Sequence, residues 1–166
     1  MIRYVLPVNT KCKDTMKLEE AIRSENFADA KHKAVINLMY TSYWFKTHAS
    51  GSLKEMDLTI EQFNVLRILK GKHPEQICIK DIGSRMIEKN SNVPRIVDRL
   101  LLKNLVKRTI SEEDKRETLI SLSDEGLRQL ADASRVMDQL QIDIFGLDEA
   151  EAVLLNTLME KMRGKD

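Results

Sequence analysis

The sequence predicts a mostly α-helical protein with a small β-wing, and three observations predict it. The 166 residues include only six Gly and three Pro, so apolar residues at helical spacing can run for many turns without a breaker. One stretch, Asn90 to Ser123, departs from that pattern. It carries a short helical segment, then two runs that alternate apolar and polar, joined by a charged loop. Hydrophobic residues make up 42% and charged residues 32%, which is ample for a packed core and unlike a disordered chain.

The first element to justify is the lead-in, Met1 to Met16. IRYVLPV reads as extended or disordered, and Pro7 interrupts an apolar patch too short for a signal-peptide core. Lys17 to Ala49 then reads as one long helix, because it contains no Gly or Pro. Leu18, Ile22, Ala34, Leu38 and Phe45 lie near helical spacing, and Ser50-Gly51-Ser52 is expected to end it. Such a helix has more apolar surface than a small domain covers alone, which points to a partner subunit. Thr59 with Gln62 three residues later forms a capping box, flanked by a Leu58–Phe63 staple. The helix they open carries the stripe Phe63, Leu66, Leu69 and ends near Gly71. Ile77 to Ile79 favours a strand beside the later hairpin. Lys80 to Ile87 reads as a short helix with Ile82 and Met86 inward, and Glu88 to Asn90 as a turn.

Pro94 positions the next helix. It lacks an N–H and is tolerated only in a first turn, so the helix is expected to begin near Asn90 or Ser91, both good caps. Ile96, Val97, Leu100 and Leu101 face the core, which leaves Arg95, Arg99 and Lys103 on an outward stripe at i, i+4, i+8. Leu105 to Ile110 and Leu119 to Leu122 follow as strands around Ser111 to Thr118. Ser123, with Asp124 and Glu125 behind it, caps a helix running to about Phe145. Asp148 and Glu151 cap a last helix that ends at Gly164.

A basic helix followed by a basic hairpin is the chemistry of a winged helix-turn-helix, in which the helix enters a DNA major groove and the hairpin reaches sideways. The residues that point to double-stranded DNA are Ser91 and Asn92 at the helix start, then Arg95, Arg99 and Lys103. Lys115 and Arg116 on the hairpin, with Lys80 and Lys89, complete the set. Net charge is only +1, but Cys78 to Leu122 holds ten Lys/Arg against seven Asp/Glu, and Ser123 to Asp166 five against ten. That asymmetry suits a DNA-facing part and a part facing elsewhere. Asp114 reads as a brace for the hairpin, and Glu112 and Glu113 should point away from the duplex.

The exclusions are equally direct. The histidines (His32, His48, His73) are scattered, and Cys12 and Cys78 form no CxxC or Cys/His cluster, so neither a metal nor another cofactor is expected. No nucleophile–base pair or phosphate loop argues for an enzyme. No apolar run approaches the roughly 18 residues a membrane span needs, so no membrane partner is expected and the expected location is cytoplasmic. Cys78, inside an apolar run, reads as a buried structural thiol. Two other readings stay open: a winged module that binds protein rather than DNA, and, implied only by the family resemblance that follows, a redox-responsive regulator using Cys12.

Three segments resemble the MarR family of bacterial transcription regulators: LTIEQFNVL (Leu58 to Leu66), SNVPRIVDRLLLKNLVKR (Ser91 to Arg108) and DKRETLISLS (Asp114 to Ser123). The resemblance spans roughly Lys17 to Met162. Pro94 stands where the family commonly has Thr or another small polar residue, and Asn104 where Gly is frequent. The resemblance implies a lead-in over residues 1–16, a winged helix-turn-helix DNA-binding domain over 58–122, and a helical dimerisation region over 17–57 and 123–166. It implies a homodimeric regulator, expected to be a repressor, on a pseudo-palindromic operator, with Arg116 in a minor groove. It also implies release by a small aromatic or anionic effector, for which Tyr40, Tyr43, Trp44 and His48 (with Phe45) are the candidate contacts; core and dimer packing is the other reading of that cluster.

Overall fold

The computed structural model describes residues 16–89 and 91–164. The expectations for the lead-in up to residue 15, for Cys12 and for Asn90 as a cap lie outside the described residues. The elements are α1 (Leu18–Ile22), α2 (Ala30–Lys54), α3 (Ile60–Lys70), β1 (Ile77–Cys78), α4 (Ile79–Arg85), α5 (Val93–Leu102), β2 (Val106–Ile110), β3 (Thr118–Leu122), α6 (Asp124–Ile144) and α7 (Glu149–Arg163). The chain divides into two units, with the boundary between Trp44 and Phe45 inside α2.

In the first unit the expected single helix from Lys17 is broken. Arg23 adopts a left-handed φ of 54°, and the Ser24 N–H reaches back to the Glu19 carbonyl at 3.1 Å, a helix-ending turn. The Asp29 carboxylate then accepts from the His32 N–H at 2.7 Å and opens α2. No Gly or Pro marks this break. Its cause is local: Ser24, Asn26 and Asp29 compete for backbone groups and favour caps over helix interiors. Lys33 pairs with Glu19 and lies 5.6 Å from the Phe27 ring centre.

In the second unit α2 does not stop at Ser50-Gly51-Ser52 but continues to Lys54. Ala49 and Leu53, four residues apart, are buried and hold the last turn against the core, which outweighs the roughly 1 kcal/mol a helical Gly costs relative to Ala. The Thr59–Gln62 capping box is present in both directions, and Leu58 and Phe63 are both buried beside it. α3 is the central element, packing against α4, α5, α6 and β3. The fully buried side chains Leu53, Val65, Leu66, Ile82, Val97, Leu100 and Ile120 form a continuous core from α2 to β3, each worth about 1.5–3 kcal/mol of transfer free energy.

The three strands run in the order β1-β3-β2, all antiparallel. Ile77 opposes Ile120, Val106 opposes Leu122, and Ile110 opposes Thr118. On β2 only Val106 is buried and Lys107 to Ile110 are exposed, while β3 keeps both Ile120 and Leu122 in the core. Asn104 takes the left-handed conformation (φ 57°) that its place before the wing strand requires. Ser123 caps α6 by accepting from the Gly126 N–H at 2.9 Å, and Asp148 with Glu151 caps α7 in a reciprocal box. The observed architecture is therefore the expected mostly helical fold with a small wing.

Candidate nucleic-acid interface

Helix α5 starts later than its sequence suggests. The cap is Asn92, whose side-chain oxygen accepts from the Arg95 N–H at 3.2 Å, rather than Ser91. Pro94 thereby falls in the first turn, where the missing N–H leaves no hydrogen bond unmade. Ser91 lies outside the helix, its carbonyl accepting from the Val93 N–H at 2.9 Å. Val93, Val97 and Leu100 are buried, with Ile96 and Leu101 packed at the margin of the core. This fixes the helix's rotation and leaves Asn92, Arg95 and Arg99 exposed.

The three cations of the expected stripe are not equivalent. Arg95 and Arg99 take part in no ion pair among the described residues. The neighbouring Asp98, a natural partner for either, is instead held by Arg108 of β2 at 2.5 Å. That pair joins α5 to the first strand of the hairpin. Lys103 is drawn inward: its ammonium donates to the Asp57 carbonyl and lies 3.0 Å from the Asp57 carboxylate. Lys103 is thus committed within the protein and stands apart from the outward set.

On the wing, Asp114 organises the turn. Its carboxylate accepts from the Arg116 N–H at 3.0 Å and from the Arg116 guanidinium at 3.2 and 3.3 Å. These contacts hold the Asp114 carboxyl below the ordinary carboxylate range, the guanidinium hydrogen bond being the larger cause and the backbone N–H the second. Ser111 and Glu117 close the loop through a 3.0 Å backbone bond. The Arg116 side chain remains 92% exposed, so it is oriented without being covered. Lys115 is exposed beside it, and Lys80 is exposed in the first turn of α4. Lys89 donates to the Ser84 carbonyl at the end of α4, while Glu88 of the same turn pairs with Lys46 of α2. The structure therefore brings Asn92, Arg95 and Arg99 onto one helical face and sets Arg116 on a braced hairpin tied to that helix.

Sequence reasoning missed Asp57, Asp98 and Arg108. Their roles rest on partners 10 to 46 residues away, and no spacing rule reports those. The candidate effector residues all fall on α2: Tyr40 and Trp44 are half-buried, Tyr43 and His48 exposed. They line neither of two clefts in the second unit. One, of 410 Å³, lies where Asp57 and Gln62 meet Arg99 and Lys103. The other, of 510 Å³, lies between α3 and α6, with Arg67, Lys70, Leu127, Leu130 and Asp138 in its walls. Cys78 is buried at the start of α4, and among the described residues no His/Cys/Asp/Glu group could hold a metal. No described helix is long and apolar enough to cross a membrane.

Comparison with known proteins agrees with this fold. Residues 58–118 match the family model described as the MarR family. The HTH-type transcriptional repressor IacR of Pseudomonas putida is 32% identical over 109 residues, which cover 65% of this chain and 64% of that protein. The match thus spans just under two thirds of the relative's length. A MarR transcription factor from Planctomyces limnophilus has a similar crystal structure, with a TM-score of 0.64 at 28% identity over 83% of this chain and 98% of that one. The MepR–DNA complex of S. aureus shares the fold, with a TM-score of 0.68 at 23% identity over 75% of this chain and 92% of that one.

Proposed function

The chain belongs to the MarR family, and from that premise we propose that it is a DNA-binding transcription regulator, a repressor that grips a two-fold symmetric duplex site as a homodimer and leaves it when a small molecule binds. The observation that carries the reading is the exposed pair Arg95 and Arg99. They lie on the outward face of a rotationally fixed helix, while the acid between them is engaged by the wing. A guanidinium there can donate twice to a guanine edge. Arg116 suits a narrow minor groove, where negative potential is highest. Ser91, Asn92, Lys80, Lys89 and Lys115 complete the proposed contact set at phosphates or at the helix start.

The homodimer is supported by what the second unit leaves bare. α7 has no buried residue, and Val153, Leu154, Leu158 and Met162 along it are each more than half exposed, as is Ile142 of α6. An apolar face of that extent is stable in water only when covered, and a second copy covers it with the symmetry that a palindromic site requires. Half-sites would then lie roughly 34–36 Å apart. Sedimentation should give twice the 19.2 kDa of one chain; a monomer at micromolar concentration would overturn this part. Repression accords with the name of the Pseudomonas putida relative.

The proposed effector is a small aromatic or anionic molecule, with Tyr40, Tyr43, Trp44 and His48 as its contacts. Trp44 is the only tryptophan, so its fluorescence reports directly on that surface. An effector that releases DNA without altering Trp44 emission binds elsewhere. For the function as a whole, the test is selection of bound sequences from random duplex DNA with purified protein. Enrichment of a two-fold symmetric site is expected; failure to enrich any such site would sink the reading.

A further inference from the structure

We propose that Lys103 is a positioning residue: it does not touch DNA but sets the tilt of the recognition helix through Asp57 and Gln62, an inference that rests on the DNA-binding reading above. Lys103 is the C-cap of α5, its N–H donating to the Arg99 carbonyl at 3.2 Å. Its ammonium meets three acceptors. These are the Asp57 carbonyl, the Asp57 carboxylate at 3.0 Å and the Gln62 side-chain oxygen at 3.4 Å. Two of these are hydrogen bonds and the third is an ion pair, so the ammonium is engaged within the protein. The Lys103 side chain is only 27% exposed, whereas that of Asp57 is 87% exposed; the carboxylate stands at the surface and the lysine reaches it along the protein.

The acceptors are fixed independently of Lys103. Asp57 holds a left-handed φ of 53° in the turn that ends α2, its N–H donating to the Lys54 carbonyl at 3.0 Å. That conformation is one an Asp tolerates. Gln62 is buried and its oxygen also accepts from the Thr59 N–H at 3.2 Å, so it is part of the cap of α3. One side chain therefore fastens the end of α5 to the end of α2 and the start of α3.

The leverage follows from the length of the helix. Ten residues span roughly 15 Å. The apolar anchors Val93, Val97 and Leu100 fix rotation about the axis but lie along one line of the surface. Swinging about that line is resisted at the C-terminal end by Lys103 and at the middle by the Asp98–Arg108 pair. Arg95 and Arg99 are presented at whatever angle these tethers set. A carboxylate beside a DNA-facing helix would otherwise repel phosphate; paired with Lys103 it acts as an anchor.

The test compares the wild type with Lys103→Met, Asp57→Asn and the double variant. The probe is the duplex recovered by the selection above, with affinity measured by fluorescence anisotropy at several salt concentrations. Asn keeps the left-handed turn available, so Asp57→Asn perturbs the ion pair and not the backbone. Each single variant should weaken binding about two- to fivefold, the range of a partly exposed ion pair. The double variant should be no weaker than the worse single, and the slope of log K against log salt should stay at the wild-type value. A Lys103→Met slope shallower by about 0.9, the mark of one lost phosphate contact, would overturn the proposal. So would Asp57→Asn binding as tightly as the wild type or more tightly. Wild-type protein that binds no duplex would instead overturn the DNA-binding reading, and this inference with it.

Discussion

Replacing Gly126 by Ala sets two known effects against each other, and the structure decides which wins. Gly126 lies in the first turn of α6, and helix propensity alone would favour Ala there by about 1 kcal/mol. A Cβ at that position, however, would stand 1.9 Å from the Leu105 carbonyl oxygen, 2.9 Å from its carbonyl carbon and 3.3 Å from its Cα. Carbon–oxygen contacts normally begin at roughly 3.3 Å, so the start of α6 and the root of the wing must separate by more than about 1 Å. The obstacle is backbone, which cannot rotate away as a side chain would. Two hydrogen bonds span the same junction: Ser123 N–H to the Leu105 carbonyl at 3.1 Å, and Ser123 Oγ to the Asn104 carbonyl at 2.6 Å. Losing both costs about 1–1.5 kcal/mol each, and Leu105, now buried, loses packing worth about 1 kcal/mol more. Net of the propensity gain, Gly126→Ala should destabilise by about 2–3 kcal/mol. Urea denaturation followed by circular dichroism measures this, at one fixed protein concentration because the midpoint of the proposed dimer depends on it. DNA affinity should fall as well, since the displaced root carries β2. A variant as stable as the wild type, or more stable, would refute the steric argument and return the position to propensity.

Arg95→Ala should remove about 1–3 kcal/mol of specific DNA binding if the guanidinium reads a base edge in two bonds; equal losses on specific and unrelated duplexes would show a phosphate contact instead. Arg116→Ala should weaken binding chiefly to sites with A/T-rich flanks, and a uniform loss across flanks would contradict minor-groove reading. The Asp114 carboxyl, held down by Arg116, should titrate below its ordinary 3.8. Because the folded value is depressed, the brace is fully formed at neutral pH and is lost only as pH falls through that lowered value. Carboxyl NMR shifts follow the titration, and a midpoint at or above 3.8 would contradict the pairing. Thr59→Ala removes a capping hydrogen bond of 3.2 Å and should lower stability by about 1 kcal/mol, read from the same urea curves.

What was legible in the sequence was mostly local. Thr59 with Gln62, Asp148 with Glu151, Ser123 before two acids and Asn104 before a strand each state a backbone requirement within three or four residues. The folded chain meets each one. Local rules failed where competing signals were nearly balanced. The polar run from Ser24 to Asp29 contains no breaker yet ends one helix and starts another, and Gly51 lies inside a helix that Ala49 and Leu53 hold from the core side. Pro94 bounded the start of α5, but the choice of Asn92 over its neighbours depended on where Val93 had to be buried.

The candidate interface divides along the same line. Sequence alone determined that a basic helix precedes a charged hairpin, and that Arg95, Arg99 and Lys103 share a helical stripe, because helical spacing is a property of the backbone. Only tertiary structure decided which of those cations stay free at the surface and which is tied to another element. Lys103 meets an acid 46 residues away, and Asp98 meets Arg108 across the junction between helix and wing rather than its neighbours on the helix. Ion pairs form between whichever charges the packed core brings within about 4 Å, and the chain order of the charges says nothing about that distance until the core has formed.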